Sequence, residues 1–311
     1  MKKYFIGIDL GGSNMKMGLV DENGQVLDQM EQPTPKDSEL ALNQMVDSCK
    51  LISKRSGTPW QQIEGIGIGL PGFLDIPKGF IVRLTNLNWE NIPIKAWLEE
   101  RLQKRVEIDN DANVAALGEA WCGAGKEVDD LVCVTLGTGV GGGVIVNGRV
   151  VYGLKGFAGE IGNILIDPDG VRCNCGQKGC LETIASATGI TRLAQEAIAN
   201  GEKTILKDHP TTYDVFQAAE QQDHVAQKVL NTAIQALARG FAVISVILNP
   251  ARFVVGGGVA KAGDALFVPL REEFQRQALG LTSQDVEIVP ALLGNQAGFI
   301  GAARLVTQRN N

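Results

Sequence analysis

No cluster of lysine and arginine occurs anywhere in this 311-residue chain, whose formal net charge is −6. Non-specific nucleic-acid binding needs a basic face to neutralise phosphates, so that partner class is excluded. Long apolar runs are missing too. The longest, Phe241 to Leu248, is eight residues interrupted by Ser245, against the ~20 that cross a bilayer, so no membrane partner is expected. Met1-Lys2-Lys3 leads straight into a strand-like Tyr4–Leu10, without the apolar segment and small-residue cleavage site of a secretory signal; the expected location is cytoplasmic. Histidine is almost absent, with two in the chain. No low-complexity linker marks a domain boundary. With 44% hydrophobic and 21% charged residues, disorder is excluded for most of the chain. Its length, at about 150 residues per domain, predicts two domains.

Glycine is in excess: 38 of 311 residues, about 12% against a usual ~7%. Such a share predicts many positions where the backbone turns sharply or approaches a ligand. Apolar patterning predicts strands at Tyr4–Leu10, Lys16–Asp21, Ile63–Leu70, Val106–Asp109, Leu131–Leu136, Gly143–Asn147, Phe253–Gly256 and Val286–Val289. Helical spacing lies between them, most clearly over Leu230, Ala233, Ile234, Leu237, Phe241, Ile244 and Leu248, halted by Asn249-Pro250. Interleaved strands and helices argue an α/β fold. The opening reads as a hairpin meander with a tight turn at Asn23-Gly24. A weak internal echo, strand–glycine loop–strand at Ile8–Ser13 and again at Val134–Gly139, suggests two related halves with a boundary near residues 110–120. A last helix, about Gly298 to Gln308, is expected to pack back on the first half.

Gly137-Thr138-Gly139-Val-Gly-Gly142 matches G-x-G-x-x-G, but a dinucleotide fingerprint requires a helix next. The residues after it read instead as a strand, an Asn147-Gly148 turn and another strand, so a Rossmann site is excluded, and no P-loop motif occurs. Two hairpin loops dense in backbone N–H groups remain, able to cradle phosphate oxygens. Asp9, beside the first, suits Mg²⁺ held through water. Gly256-Gly257-Gly258 comes after a strand and would let a flat base lie on the backbone. Each loop alone reads more simply as a structural turn; the three together with Asp9 do not.

In order along nearly the whole chain, Asp9-Leu-Gly-Gly-Ser-Asn14, Leu136-Gly-Thr-Gly-Val-Gly-Gly-Gly143, Gly159-Glu-Ile-Gly162, Cys173-Asn-Cys-Gly-Gln-Lys-Gly-Cys-Leu-Glu182 and Val255-Gly-Gly-Gly-Val259 resemble the ROK family of sugar kinases, with its bacterial glucokinases nearest. The resemblance implies an actin-like ATPase (ribonuclease H-like) fold, two lobes around a central cleft. Residues 1–117 plus about 298–311 would form the small lobe and 118–297 the large one. It implies an ATP-dependent hexose kinase, glucokinase above all, with Mg²⁺ and a homodimeric assembly. Other hexoses (fructose, mannose, an N-acetylated aminosugar) and a catalytically weak sugar-binding regulator remain alternatives. The family's repressors carry a helix-turn-helix ahead of the kinase-like part, for which the strand at Tyr4 leaves no room.

Asp109-Asn110-Asp111 lies between a strand and the helix Val114 to Trp121. A carboxylate on a sugar hydroxyl accepts its proton as it attacks the γ-phosphoryl. By resemblance Asp111 is that base and Asn110 touches the sugar; an Asx cap on the helix is the competing reading. Resemblance adds Gly72, Asn86, Glu160 and Glu182 as sugar contacts. To the nucleotide it gives Asp9, Gly11, Gly12, Ser13, Asn14, Lys16, Gly137, Thr138, Gly139, Gly256, Gly257 and Gly258.

Cys49, Cys122 and Cys133 are scattered and read as small buried hydrophobes. Cys173, Cys175 and Cys180 form a metal knuckle suited to structural Zn²⁺. The family's fourth ligand, a histidine that also touches the sugar, is Asn163 here, a poor zinc ligand. Zinc on three thiolates with water or Asp167, zinc with Asn163, and no metal are all open, with retained zinc favoured. His209 and His224 read as surface or helix-face residues. Asn163 is expected to weaken glucose binding or shift the preferred hexose.

Overall fold

A computed structural model describes residues 2–84 and 86–308, so Thr85, in the stretch before Asn86, lies outside it. The chain divides into two units: Met1–Asp129 with Gly143–Ala158 and Leu292–Asn311, and Asp130–Gly142 with Gly159–Ala291.

The first unit opens with β1 (Tyr4–Leu10), β2 (Asn14–Asp21) and β3 (Val26–Pro33), an antiparallel meander as expected. After α1 (Ser38–Arg55) come β4 (Ile63–Leu70), the short β5 (Phe73–Asp75), β6 (Phe80–Leu84) and β7 (Trp89–Ile92), then α2 (Ile94–Leu102), β8 (Arg105–Asn110) and α3 (Asp111–Cys122). The main sheet has the order β3-β2-β1-β4-β8, with β4 parallel to both β1 and β8. β5, β6 and β7 form a small sheet of their own. One face of the main sheet buries Ile6, Ile8, Ile66 and Ile68 with Met45 and Cys49 of α1 and Leu98 of α2.

In the second unit, β9 (Leu131–Leu136) leads through a glycine loop directly into β10 (Val140–Val146), the strand-to-strand passage that excluded a dinucleotide fingerprint. Beyond Gly142 β10 belongs to the first unit, where it turns at Asn147-Gly148, both left-handed (φ 52° and 69°), into β11 (Arg149–Val150). The second unit continues with α4 (Glu182–Ala185), α5 (Ala187–Ala199), α6 (Thr212–Glu220), α7 (His224–Leu248), β12 (Arg252–Gly256), α8 (Asp264–Gln277), α9 (Gly280–Ser283) and β13 (Glu287–Pro290). β12 runs parallel to β9 and β13. α7 ends at a left-handed Asn249, where the sequence placed its stop. It is long and apolar enough to span a bilayer, but Val229, Ala233, Ile234, Leu237, Phe241 and Ile244 are buried within the unit.

The chain then returns to the first unit as α10 (Ala297–Gln308), and here glycine has a use that turn or ligand readings miss. A Cβ on Gly7 of β1 would stand 1.7 Å from the Phe299 carbonyl oxygen, and one on Gly67 of β4 1.7 Å from that of Ala302. One on Gly301 would come as close, 1.6 Å, to the Val114 carbonyl oxygen of α3. Helix therefore lies on sheet and on helix with almost no side chain between, and Phe299, Ile300, Ala303 and Val306 close over Phe5 and Val20. Cys49 and Cys133 are buried as expected, whereas Cys122 is only half-buried, its Sγ 3.7 Å from the Asn23 carbonyl.

Candidate functional site

In the first unit, register puts the chemistry along one sheet edge. Asp9 pairs with Lys16 on β2 and with Gly69 on β4, and Gly69 pairs with Asp109 on β8. Open parallel sheets take ligands beyond the carboxyl ends of their strands, where the loops diverge. The β1–β2 turn there is held by Gly11 N–H to Asn14 O (2.9 Å) and by Thr34 Oγ1 to Gly11 O (2.8 Å). Ser13 and Asn14 are exposed, and Asn14 donates to Glu31 at 2.7 Å. Burial pushes the Asp9 carboxyl above its ordinary value, with Lys16 pulling it back. Gly298, in the first turn of α10, leaves room for that carboxylate: a Cβ would sit 2.5 Å from its Oδ2.

Gly72 takes a left-handed φ of 106° with the Arg83 carbonyl 2.6 Å from where a Cβ would be. Asn86 is exposed, and its Cβ lies 3.4 Å from the position a Gly12 Cβ would take, so these two loops adjoin. At the β8–α3 junction the Asx reading holds for Asn110, whose Oδ1 accepts the Ala112 N–H at 2.9 Å. Asp111 opens the helix itself and is exposed, its Oδ1 also 2.9 Å from Ala112 N. Sequence reasoning assigned nothing to the residues beneath them. Asp109 is fully buried; its Oδ1 accepts from Asn110 N (2.7 Å) and Asn113 Nδ2 (2.9 Å), and its Oδ2 from the Tyr152 hydroxyl (2.6 Å). The D-N-D run exposed Asp109 to notice, but no spacing rule connects Tyr152 to it.

In the second unit, Thr135 pairs with Gly256, so the Gly137–Gly139 and Gly256–Gly258 loops leave the same edge of the β9–β12 pair. The first is tied by Gly137 N–H to Gly139 O (3.0 Å), Ala187 N–H to Gly137 O (2.8 Å) and Thr188 Oγ1 to Thr138 O (2.6 Å). Thr138 is exposed and Gly137 faces open space. Gly257 is left-handed (φ 90°) and packs on the Leu136 carbonyl, while nothing lies within 4 Å of a Cβ on Gly258. Glu182, first residue of α4, accepts the Val140 N–H at 3.0 Å and fills the space beside Gly139. Burial, then repulsion from Glu182, raises the half-buried Glu160 carboxyl above its ordinary value. Asn163 ends the short turn Ile161–Asn163, its N–H donating to Glu160 O at 3.0 Å.

The thiol sulfurs of Cys173, Cys175 and Cys180 lie within 4.8 Å of one another, Cys175 and Cys180 3.5 Å apart. Tetrahedral zinc with ~2.3 Å bonds holds sulfurs about 3.8 Å apart, so the set fits that ion. Left-handed Gly176 (φ 96°) and Gly179 (φ 65°) allow the tight return. Among the described residues no histidine or carboxylate completes the set. The Cys173 thiol does donate to Glu182 Oε1 at 3.8 Å, while Asp167 accepts from the Asp169 N–H at 3.2 Å. His209 and His224 are exposed, as expected.

Glycine loops thus leave strand ends in each unit, and an Asn-Asp pair opens α3 in the first. The ROK family model matches residues 5–309, and the chain belongs to the ROK family. It is 41% identical to a glucokinase of Halalkalibacterium halodurans, over 99% of this chain and 96% of that one. Its fold matches that of a ROK hexokinase from Thermus thermophilus with a TM-score of 0.88 and 31% identity, covering 100% of both chains. A ROK glucokinase from Streptomyces griseus, solved with glucose and AMPPNP, matches at 0.78 and 33% over 98% of this chain and 99% of that one. The fold is thus the two-lobed actin-like ATPase fold that the motifs implied.

Proposed function

We propose that this chain is an ATP-dependent glucokinase that transfers the γ-phosphoryl group of Mg·ATP to the 6-hydroxyl of D-glucose. The observation that carries this reading is full-length likeness to glucokinases, at 41% identity over 99% of the chain. Asp111 is the general base: its exposed carboxylate takes the hydroxyl proton as that oxygen attacks the γ-phosphorus, the bond to the β–γ bridging oxygen breaks, and ADP leaves. Asn110, Gly72, Asn86, Glu160, Asn163 and Glu182 hold the sugar, so that aligned reactants lower the barrier, an effect worth roughly 7–11 kcal/mol in well-oriented reactions. Asp9 would face the magnesium that arrives with ATP, a hard cation suited to carboxylate and water ligands. Gly11, Gly12, Ser13, Asn14 and Lys16 with Gly137, Thr138 and Gly139 receive the phosphates, and Gly256, Gly257 and Gly258 the adenosine. Zinc on Cys173, Cys175 and Cys180 would brace the loop that ends in Glu182. The same reading makes the protein a cytoplasmic homodimer.

The test is sugar-dependent ADP release with Mg·ATP across glucose, mannose, fructose and the acetylated aminosugars, with zinc quantified on the same protein. Fast turnover on glucose, reduced by about 10²–10⁴-fold in Asp111→Ala, is the expected result. Preference for another hexose would replace glucose and make Asn163 a specificity determinant. Sugar binding without turnover would make the protein a regulator instead.

A further inference from the structure

We infer that Tyr152 is a positioning residue for phosphoryl transfer, acting through the buried carboxylate of Asp109 to fix the Asn110-Asp111 tip; this rests on the proposed role of Asp111. The base is the exposed first residue of α3, so its place depends on how rigidly the β8–α3 junction beneath it is held. Two of the bonds at that junction are local. Asp109 Oδ1 takes the next residue's N–H, and the Asn113 side chain one helical turn on. The main chain at the junction is paired to β4, Asp109 with Gly69 and Asn110 with Leu70, whereas these two side-chain bonds are local to it. The Tyr152 hydroxyl reaches Asp109 Oδ2 from 43 residues away, at 2.6 Å. That length is within the range of a direct O–H···O hydrogen bond.

The other end of the tether is also informative. Tyr152 lies just past β11 and immediately precedes a segment bounded by left-handed glycines, Gly153 (φ 67°) and Gly156 (φ 84°). The residue lines a cavity of about 560 Å³ together with Leu74, Ile76, Val82 and Phe157. A phenylalanine would fill the same space, so the hydroxyl itself serves the carboxylate rather than the packing. With the hydroxyl present, the Asp109 carboxylate is held from a distant part of the chain, next to the turn that carries Asp111. Without it, the carboxylate loses this bond while the main chain keeps its pairing with β4. A displacement on the order of 1 Å at a reacting group can lower a rate about 10²-fold.

The experiment compares wild type, Tyr152→Phe, Asp109→Asn and the double variant on glucose with Mg·ATP, with kcat scaled to the glucose-binding stoichiometry so that misfolded protein does not count. Tyr152→Phe is expected to lower kcat about 10–100-fold while KM for ATP stays within about twofold. If the hydroxyl acts through Asp109, the double variant is no slower than Asp109→Asn alone. Unchanged kcat in Tyr152→Phe overturns the inference, as does a loss matched by lost binding stoichiometry or additive losses in the double variant. Should Asp109→Asn fail to fold, the kcat-against-KM split of Tyr152→Phe decides by itself. A wild type that turns over no sugar overturns the base assignment and this inference with it. Normal wild-type turnover beside an unaffected Tyr152→Phe overturns this inference alone.

Discussion

Asp9 is a carboxylate kept where burial disfavours its charge, and that has a thermodynamic signature. Its native pKa lies above the ordinary 3.8, because desolvation outweighs the pull of Lys16. The unfolded chain therefore releases this proton first, so stability falls as pH rises from 3.8 through the native value and stays reduced at neutral pH. Asp9→Asn removes the penalty. Its ligand-free melting temperature at pH 7 is expected to exceed that of wild type, with the gain vanishing below pH 3.8, while turnover of Mg·ATP falls. A lower melting temperature at pH 7 would contradict the argument. Glu119 is a buried carboxylate fully used by the fold: it accepts the N–H groups of Ala124 (2.8 Å), Leu292 (3.1 Å) and Leu293 (2.8 Å). Charge-assisted bonds contribute ≈1.5–3 kcal/mol each and are not additive, so Glu119→Ala should lose about 3 kcal/mol in denaturant titration.

Between elements, the contact of α10 with the main sheet depends on glycines that no side chain can replace. A methyl group on Gly67 meets a backbone oxygen at 1.7 Å, and backbone yields less readily than a flexible side chain. Gly67→Ala is expected to destabilise by about 3 kcal/mol, lowering the melting temperature by roughly 6–12 °C. The same substitution at Gly57, where nothing lies within 4 Å but φ is 69°, should lose less, through backbone strain alone. That a last helix packs back on the first unit was legible in the sequence; its seating on glycines was not, because a glycine that admits a helix looks like one that turns a chain. Strands buried on both faces were legible: β1, β4 and β9 begin and end where their apolar runs do. β3 was not, since it lies at the sheet edge and Val26-Leu-Asp-Gln-Met-Glu-Gln-Pro33 carries no apolar alternation. β5 to β7 are three to five residues each, too short to show a period. In the candidate site, the loops and Asp111 stood out because their chemistry sits in contiguous motifs. The Tyr152–Asp109 bond did not, because it joins positions that only folding brings together.

For the whole molecule, ligands that bind only the folded state should raise its stability by mass action. Glucose at 100 times its Kd contributes about 2.7 kcal/mol, or roughly 5–11 °C in melting temperature. Thermal melts with glucose, and with galactose as a control for non-specific sugar effects, check this; no shift with any hexose would count against a sugar site. The seating of α10 also sets a clock for biosynthesis. The first strand of the sheet ends at residue 10 and the helix that covers one of its faces begins at residue 297, so at 5–20 residues per second about 14–57 s of translation separate the two. Through that interval the nascent first unit exposes a glycine-lined, half-covered sheet, and the growing chain is a substrate for chaperones until this helix leaves the ribosome.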